Sequence, residues 1–190
     1  MEQQVQQVQQ YSALSKTLHW LMAVMIFALF GVGYWMVELT YYSAWYKTAP
    51  HYHKSVGVLL AILLVIRLGW LWKKGKPAAL SHHSQFVQRV AHWTHLLLYL
   101  LIIAIVLTGY LISTADARGI EVFNWFVLPG FGELFAEQAD RAGLLHQWLA
   151  YSLMALVLLH AAGAVKHHLL DKDATLKRMW WSVGKKSDIK

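Results

Sequence analysis

A chain of 190 residues with 57% hydrophobic and only 14% charged side chains is too apolar for a water-soluble domain, which carries about 25% charge, so much of its surface must face lipid. The absence of Cys excludes disulfides, thiolate metal sites, thiolate-held clusters and any covalent Cys-x-x-Cys-His attachment. A net charge of +7 would suit nucleic acid only if the cations lined a solvated face, and here their placement follows another rule.

Residues 1–15 read as a polar tail, Gln-rich with a single Glu, in which residues 3–10 repeat Gln and Val. Nothing in it or after the first apolar run has the pattern of a cleaved signal, so that run is expected to stay in the mature protein. Four apolar stretches follow: Leu18 to Leu39, Ser55 to Trp72, Trp93 to Ile112 and Gly143 to Val165. Each approaches the length of about 20 residues that a helix needs to cross a hydrocarbon layer of about 30 Å. Trp20, Tyr34, Trp35, Trp70, Trp72, Trp93 and Tyr110 lie near the ends of the stretches, as interfacial anchors do. Arg67 lies near one end of the second stretch, from which it is expected to snorkel toward the headgroups.

The cations sort by side. Lys16, Lys73, Lys74, Lys76, Arg89 and a tail with Lys166, Lys172, Lys177, Arg178, Lys185, Lys186 and Lys190 share one face. The opposite segments, 40–54 and 113–142, hold only Lys47, Lys54, Arg118 and Arg141, with five acids in the longer one. By the positive-inside rule both termini are cytoplasmic, and the basic balance is a topology signal rather than a sign of nucleic-acid binding. The longer outer segment, with Pro129-Gly130-Phe131-Gly132, is expected to fold back on the membrane surface. The expected organisation is a polar tail (1–15), a four-helix membrane domain (16–170) and a basic cytoplasmic tail (171–190).

Eleven His is a large number for this length, and several lie at or inside the spans, where an ionisable group is costly unless paired or ligated. His146 and His160 are 14 residues apart on the fourth stretch, nearly four helical turns, which puts them on nearly one face and about 21 Å apart along the axis. One metal ion cannot bind both, whereas two stacked cofactors can. His19 lies at the depth of His160, and His53 at the depth of His146. Two cross-helix pairs follow, each able to supply both axial nitrogens of a b-type haem. Ala23, Gly57, Ala150 and Ala164, four residues after the four His, are small enough for a flat ring to approach. The fold expected is therefore an all-α membrane protein, a four-transmembrane-helix bundle enclosing two b haems.

The remaining His have blander readings beside functional ones. His92 and His95 share a helical face, as a metal pair, a quinone-site donor or simple interfacial residues. His51, His82 and His83 are expected in solvated loops. His167 and His168 follow the last span beside Lys166, at the interface. Lys54 and Arg141 outside, and Lys16, Arg67 and Lys166 inside, are candidate partners for haem propionates, or else ordinary interfacial anchors. Arg67, His95 and His167 are candidates for a quinone site.

Taken in order, Tyr11-Ser12, Leu18-His19-Trp20, His53-Lys54-Ser55-Val56-Gly57, Arg67, His92 to His95, Leu145-His146-Gln147-Trp148, Leu159-His160-Ala161-Ala162 and Lys166-His167-His168 resemble the bacterial cytochrome b561 family. The tail Asp171 to Met179 is also similar to that family's C-terminal motif, so the resemblance runs from about residue 11 to about 180. It implies a four-helix inner-membrane cytochrome with two b haems, whose axial ligands carry over by position to His19 and His160 for the inner iron and to His53 and His146 for the outer iron. It also implies electron transfer between a quinone such as ubiquinone and a partner. One branch is a superoxide oxidase, and related proteins are haem subunits of membrane hydrogenases. The function expected is thus a transmembrane di-haem electron carrier between the quinone pool and a periplasmic donor or acceptor, with superoxide as one candidate. The alternatives are a haem-bearing anchor for an extrinsic redox partner, and a His-lined metal transporter. The transporter is disfavoured because no stretch has Asp or Glu away from its ends.

Overall fold

Ser12 and Ser84 each open a helix by the same device: the side-chain oxygen accepts from the amide three residues on, that of Ser15 and of Val87, both at 3.3 Å. In the computed structural model, which describes residues 10–80 and 83–181, these caps start α1 (Ala13–Met36) and α3 (Gln85–Thr114). Helix α2 (Thr48–Lys74) carries Pro50 in its first turn, where the missing N–H costs nothing, and stops at Gly75, whose φ of 73° suits a residue without Cβ. Helix α4 (Gln138–Leu169) ends the bundle and a short 3₁₀ turn, Lys177–Met179, follows it. The Gln-rich residues 1–9, His82, Lys185, Lys186 and Lys190 lie outside the described residues.

All four helices are long and apolar enough to cross a membrane, and each contains the apolar stretch read from the sequence except at the end of the first, which stops at Met36. Their outward faces expose Val24, Phe27, Ile62, Val65, Leu97, Leu107, Leu158 and Leu159, the side chains a bilayer solvates. The bundle is two antiparallel hairpins. Helix α1 packs mainly on α2, and α3 mainly on α4, while direct α1–α4 contact is slight.

Both ends of the described chain meet at one end of the bundle, hereafter the terminal end. There Tyr11 N donates to Arg178 O, Lys16 Nζ to Trp180 O at 2.9 Å and Trp20 Nε1 to Met179 O at 2.9 Å. Residues 171–181 thus fold back onto the start of α1. Arg178 is buried and donates to Ala78 O at 2.8 Å, which ties in the α2–α3 connection as well.

The opposite end carries a small antiparallel hairpin that the sequence pattern did not reveal, β1 (Ile120–Val122) with β2 (Phe126–Leu128), in the register Ile120 to Leu128 and Val122 to Phe126. Strand β1 packs against α2 through Ser55, which is completely buried. Its hydroxyl shares one proton between His51 O (2.9 Å) and Glu121 O (3.2 Å) and accepts from Phe123 N at 3.1 Å. Gln138, equally buried, links the same loop to α3: it accepts from Leu134 N at 2.8 Å and donates to Leu111 O at 2.9 Å. Ser55→Ala leaves the Phe123 amide unsatisfied in a dry site and is expected to cost about 1–3 kcal/mol. A lowered thermal midpoint in detergent, with the helical signal retained, is the readout.

Two imidazole pairs in a layered bundle core

A seven-residue interval runs through all four helices. It takes His19, Ile26 and Gly33 in α1; His53, Leu60 and Arg67 in α2; His95, Ile102 and Gly109 in α3; and His146, Leu153 and His160 in α4. Seven residues are close to two turns and rise about 10.5 Å, so each helix offers one side chain at each of three levels. Because neighbouring helices run antiparallel, the levels line up. The hairpin-end level holds Gly33, His53, Gly109 and His146. The middle level holds Ile26, Leu60, Ile102 and Leu153, all buried and in one apolar cluster. The terminal level holds His19, Arg67, His95 and His160.

At the hairpin end the His53 and His146 ring centroids are 6.3 Å apart, and at the terminal end those of His19 and His160 are 6.2 Å apart. Two imidazoles bound to opposite faces of one metal need this separation, since two bonds of about 2 Å each and two half-rings add up to about 6 Å. The residues present therefore fit an iron held between two imidazoles at each level. His95 also approaches His160, but at 5.2 Å, too close for the two rings to lie on opposite faces of one iron. Its Nδ1 donates to Ala91 O at 2.6 Å.

Other groups set ring orientation and room. His146 Nδ1–H donates to Thr108 Oγ1 at 3.1 Å, and the Thr108 hydroxyl turns its own proton to Ala104 O (2.9 Å) and Ile105 O (3.0 Å). That fixes the tautomer and leaves the other ring nitrogen bare for a metal. His53 Nδ1 is buried with no hydrogen-bond partner among the described residues. A Cβ on Gly33 would lie 3.1 Å from His53 Cε1, and one on Gly109 would lie 3.1 Å from His146 Cε1. The small residues that make room for the rings thus come from the helices across the bundle. Of the four small residues chosen by offset, Gly57 faces open space, where a Cβ would meet nothing within 4 Å. Ala23, Ala150 and Ala164 are half-buried.

The cations read as candidate anion partners have different fates. Arg67 does not snorkel: it is buried, with Nη1 donating to Ser15 O at 2.7 Å and Nε to Tyr99 Oη at 3.3 Å, each acceptor one turn from a terminal-level His. Lys16 is buried too, its ammonium engaged by Gln10 Oε1 at 2.6 Å and Trp180 O. Arg141 pairs with Glu137 on the exposed surface, and Lys54 is half-buried next to His53. Lys166 bonds Asp171 at 2.7 Å, which holds that carboxyl below its ordinary range.

Arg67 and His95 come together at the terminal level, while His167 makes its contacts with His83, Asp171 and Asp173. Two loop readings need correction. His51 lies in the first turn of α2, because Pro50 is compatible with a helix start, and His83 is mostly buried against Asp173, with Nε2 donating to Oδ2 at 2.8 Å. Burial opposes ionisation of Asp173, but the bonds from His83 and the Thr175 amide outweigh it and hold the carboxyl well below its usual range.

Comparison with known proteins agrees with this architecture. The family described as Prokaryotic cytochrome b561 matches residues 10–182. The chain is 46% identical to Cytochrome b561 homolog 2 of Escherichia coli (strain K12), over 94% of each chain. It is 27% identical to a Yersinia pestis protein named Probable superoxide oxidase CybB, over 89% of this chain and 94% of that one. With Cytochrome b561 homolog 1 of Escherichia coli (strain K12) the identity is 24%, over 85% of this chain and 92% of the relative. Four apolar spans, two imidazole pairs at bis-axial separation and a match along nearly the whole chain make it a member of the prokaryotic cytochrome b561 family, a multi-pass membrane cytochrome that uses b-type haem for electron transfer.

Proposed function

We propose that this chain is a di-haem electron conduit, with His19 and His160 holding one b haem at the terminal end and His53 and His146 holding a second at the hairpin end. The observation that carries this reading is the pair of ring separations, 6.2 and 6.3 Å, repeated at two levels of one bundle. A b haem ligated on both faces is closed to small ligands and exchanges single electrons. The protein's own part is to fix the imidazoles, through Thr108 at His146, and to exclude water with the Ile26, Leu60, Ile102 and Leu153 level between the two sites.

In this reading the terminal end faces the cytoplasm of a bacterium and the membrane is the inner one, in keeping with the positive-inside rule. Residues 16–170 then form the membrane domain, residues 1–15 the N-terminal polar tail and residues 171–190 the basic cytoplasmic tail. Ubiquinone exchanges electrons at the terminal end, where Arg67 and His95 flank the His19–His160 pair, while His167, the third candidate from the sequence, faces His83 and Asp173 instead. A largely apolar depression of about 520 Å³ at that end, lined by Gln10, His168, Leu176, Lys177, Trp180 and Trp181, has the aromatic walls a quinone ring takes. At the hairpin end, Lys54 and Arg141 attract an anion, and superoxide is the candidate donor that the named activity of the Yersinia relative supports. An extrinsic redox protein at the same face is the alternative donor.

Three outcomes are expected. The purified protein contains about two haems per chain by pyridine haemochrome assay; His53→Ala and His146→Ala remove one and the same haem, and His19→Ala and His160→Ala the other, whereas a joint loss on His53→Ala and His160→Ala would overturn the pairing. Gly33→Val and Gly109→Val push branched side chains against His53 and His146, so they perturb the haem that His53→Ala removes and spare the other; Gly69→Val, at open space, changes neither. In stopped-flow mixing, ubiquinol and superoxide each reduce the haems of the wild type. Reduction by ubiquinol alone would leave a quinone-linked cytochrome and reject superoxide as donor.

A further inference from the structure

Outside the layered core, the described residues hold one group of three or more side chains able to ligate a metal ion: His83, His167 and Asp173. They come from three places, the segment before α3, the last turn of α4 and the segment that folds back over the terminal end. Asp173 Oδ2 lies 2.8 Å from His83 Nε2 and 3.1 Å from His167 Nδ1, and all three ligand atoms fall within 4.8 Å of one another. Ligands at about 2.0–2.1 Å around one tetrahedral ion stand about 3.3 Å apart, so only a small adjustment of the two imidazoles is needed.

Three further observations point the same way. His167 Nδ1 is buried and, although it stands 2.7 Å from Asp171 Oδ2 and 3.1 Å from Asp173 Oδ2, neither contact is aligned as a hydrogen bond. The Asp173 side chain is 2% exposed, and its other oxygen is fixed by the Thr175 amide at 2.7 Å, as ligating carboxylates are. His167 also sits in the last turn of α4, where the helix carbonyls favour a cation.

We propose that His83, His167 and Asp173 form a binding site for one divalent first-row transition ion of the zinc class at the terminal face, separate from the haem-binding levels. Two imidazoles and a carboxylate, with no thiolate, suit zinc, iron or nickel and leave a fourth position for water or for Asp171. Bound there, the ion ties the α2–α3 connection to the end of α4 and to the returning C-terminal segment, and so braces the end of the bundle at which the His19–His160 pair lies.

The test uses the full-length, haem-loaded protein in detergent, stripped with a chelator and titrated with zinc chloride against a chromogenic competitor. One zinc per chain is expected. His83→Gln and His167→Gln should weaken it at least tenfold, since loss even of an outer-shell partner costs about 10–100-fold. His92→Gln, an exposed imidazole on α3, should not change it. Unchanged haem absorption shows that each variant is folded. Zinc-edge X-ray absorption of the wild type needs no variant: imidazole scattering with nitrogen and oxygen at about 2.0–2.1 Å is expected. No stoichiometric zinc, equal affinity in wild type and His83→Gln, or a first shell without imidazole would overturn the site and leave an ion-pair network only. The haem counts are read separately, so either result stands apart from the di-haem reading.

Discussion

The seven-residue interval shared by four antiparallel helices is the constraint on which the rest depends. In lipid there is no hydrophobic drive to hold helices together, so their contact must come from packing and from polar groups satisfied inside the bundle. With one side chain per helix at each level, the sequence stacks two polar or small-residue levels around an apolar one. The middle level supplies close packing from Ile26, Leu60, Ile102 and Leu153. The outer two supply imidazoles where their ring nitrogens meet across the bundle rather than the bilayer.

Packing between the hairpins is correspondingly incomplete. Only 6% of the most apolar stretch of α4 is buried, and α4 hardly touches α1, yet the His19–His160 pair, 6.2 Å between ring centroids, joins just these two helices. On the di-haem reading a flat macrocycle would fill the gap and serve as core, which explains why Gly rather than a larger apolar residue stands at positions 33 and 109, near the ends of two long apolar helices. A Gly there forfeits about 1 kcal/mol of helix propensity relative to Ala, and the compensation is room beside the rings.

Spans and depth were legible because both rest on periodicity: long apolar runs mark the helices, and the 14 residues between His146 and His160 mark two levels. The same count applied to His19 and His95 leads to Gly33 and Gly109, and applied to His53 it leads to Arg67, so the full set of layers was within reach of the arithmetic used for α4. Choosing small neighbours on the helix of each His missed Gly33 and Gly109, since a ring is crowded by the helix facing it. The strand pair at 120–128 and the His83–Asp173 contact were not legible. Three-residue strands have no period to detect, and side chains 90 positions apart meet only after the tail has folded back.

The two imidazole levels also differ in charge, and the difference bears on direction. The hairpin-end level completes itself with two glycines, whereas the terminal level has a buried guanidinium at Arg67, bonded to Ser15 O and Tyr99 Oη. A fixed cation in a medium less polar than water favours added negative charge at its own level over a level about 21 Å away. On the proposed reading, a haem held by His19 and His160 would therefore accept an electron more readily than one held by His53 and His146, because the Arg67 guanidinium stands at its level. The Gly33 and Gly109 level leaves room beside two imidazoles, and the Arg67 and His95 level sets a fixed cation beside the other two, so one repeat gives the two levels different surroundings.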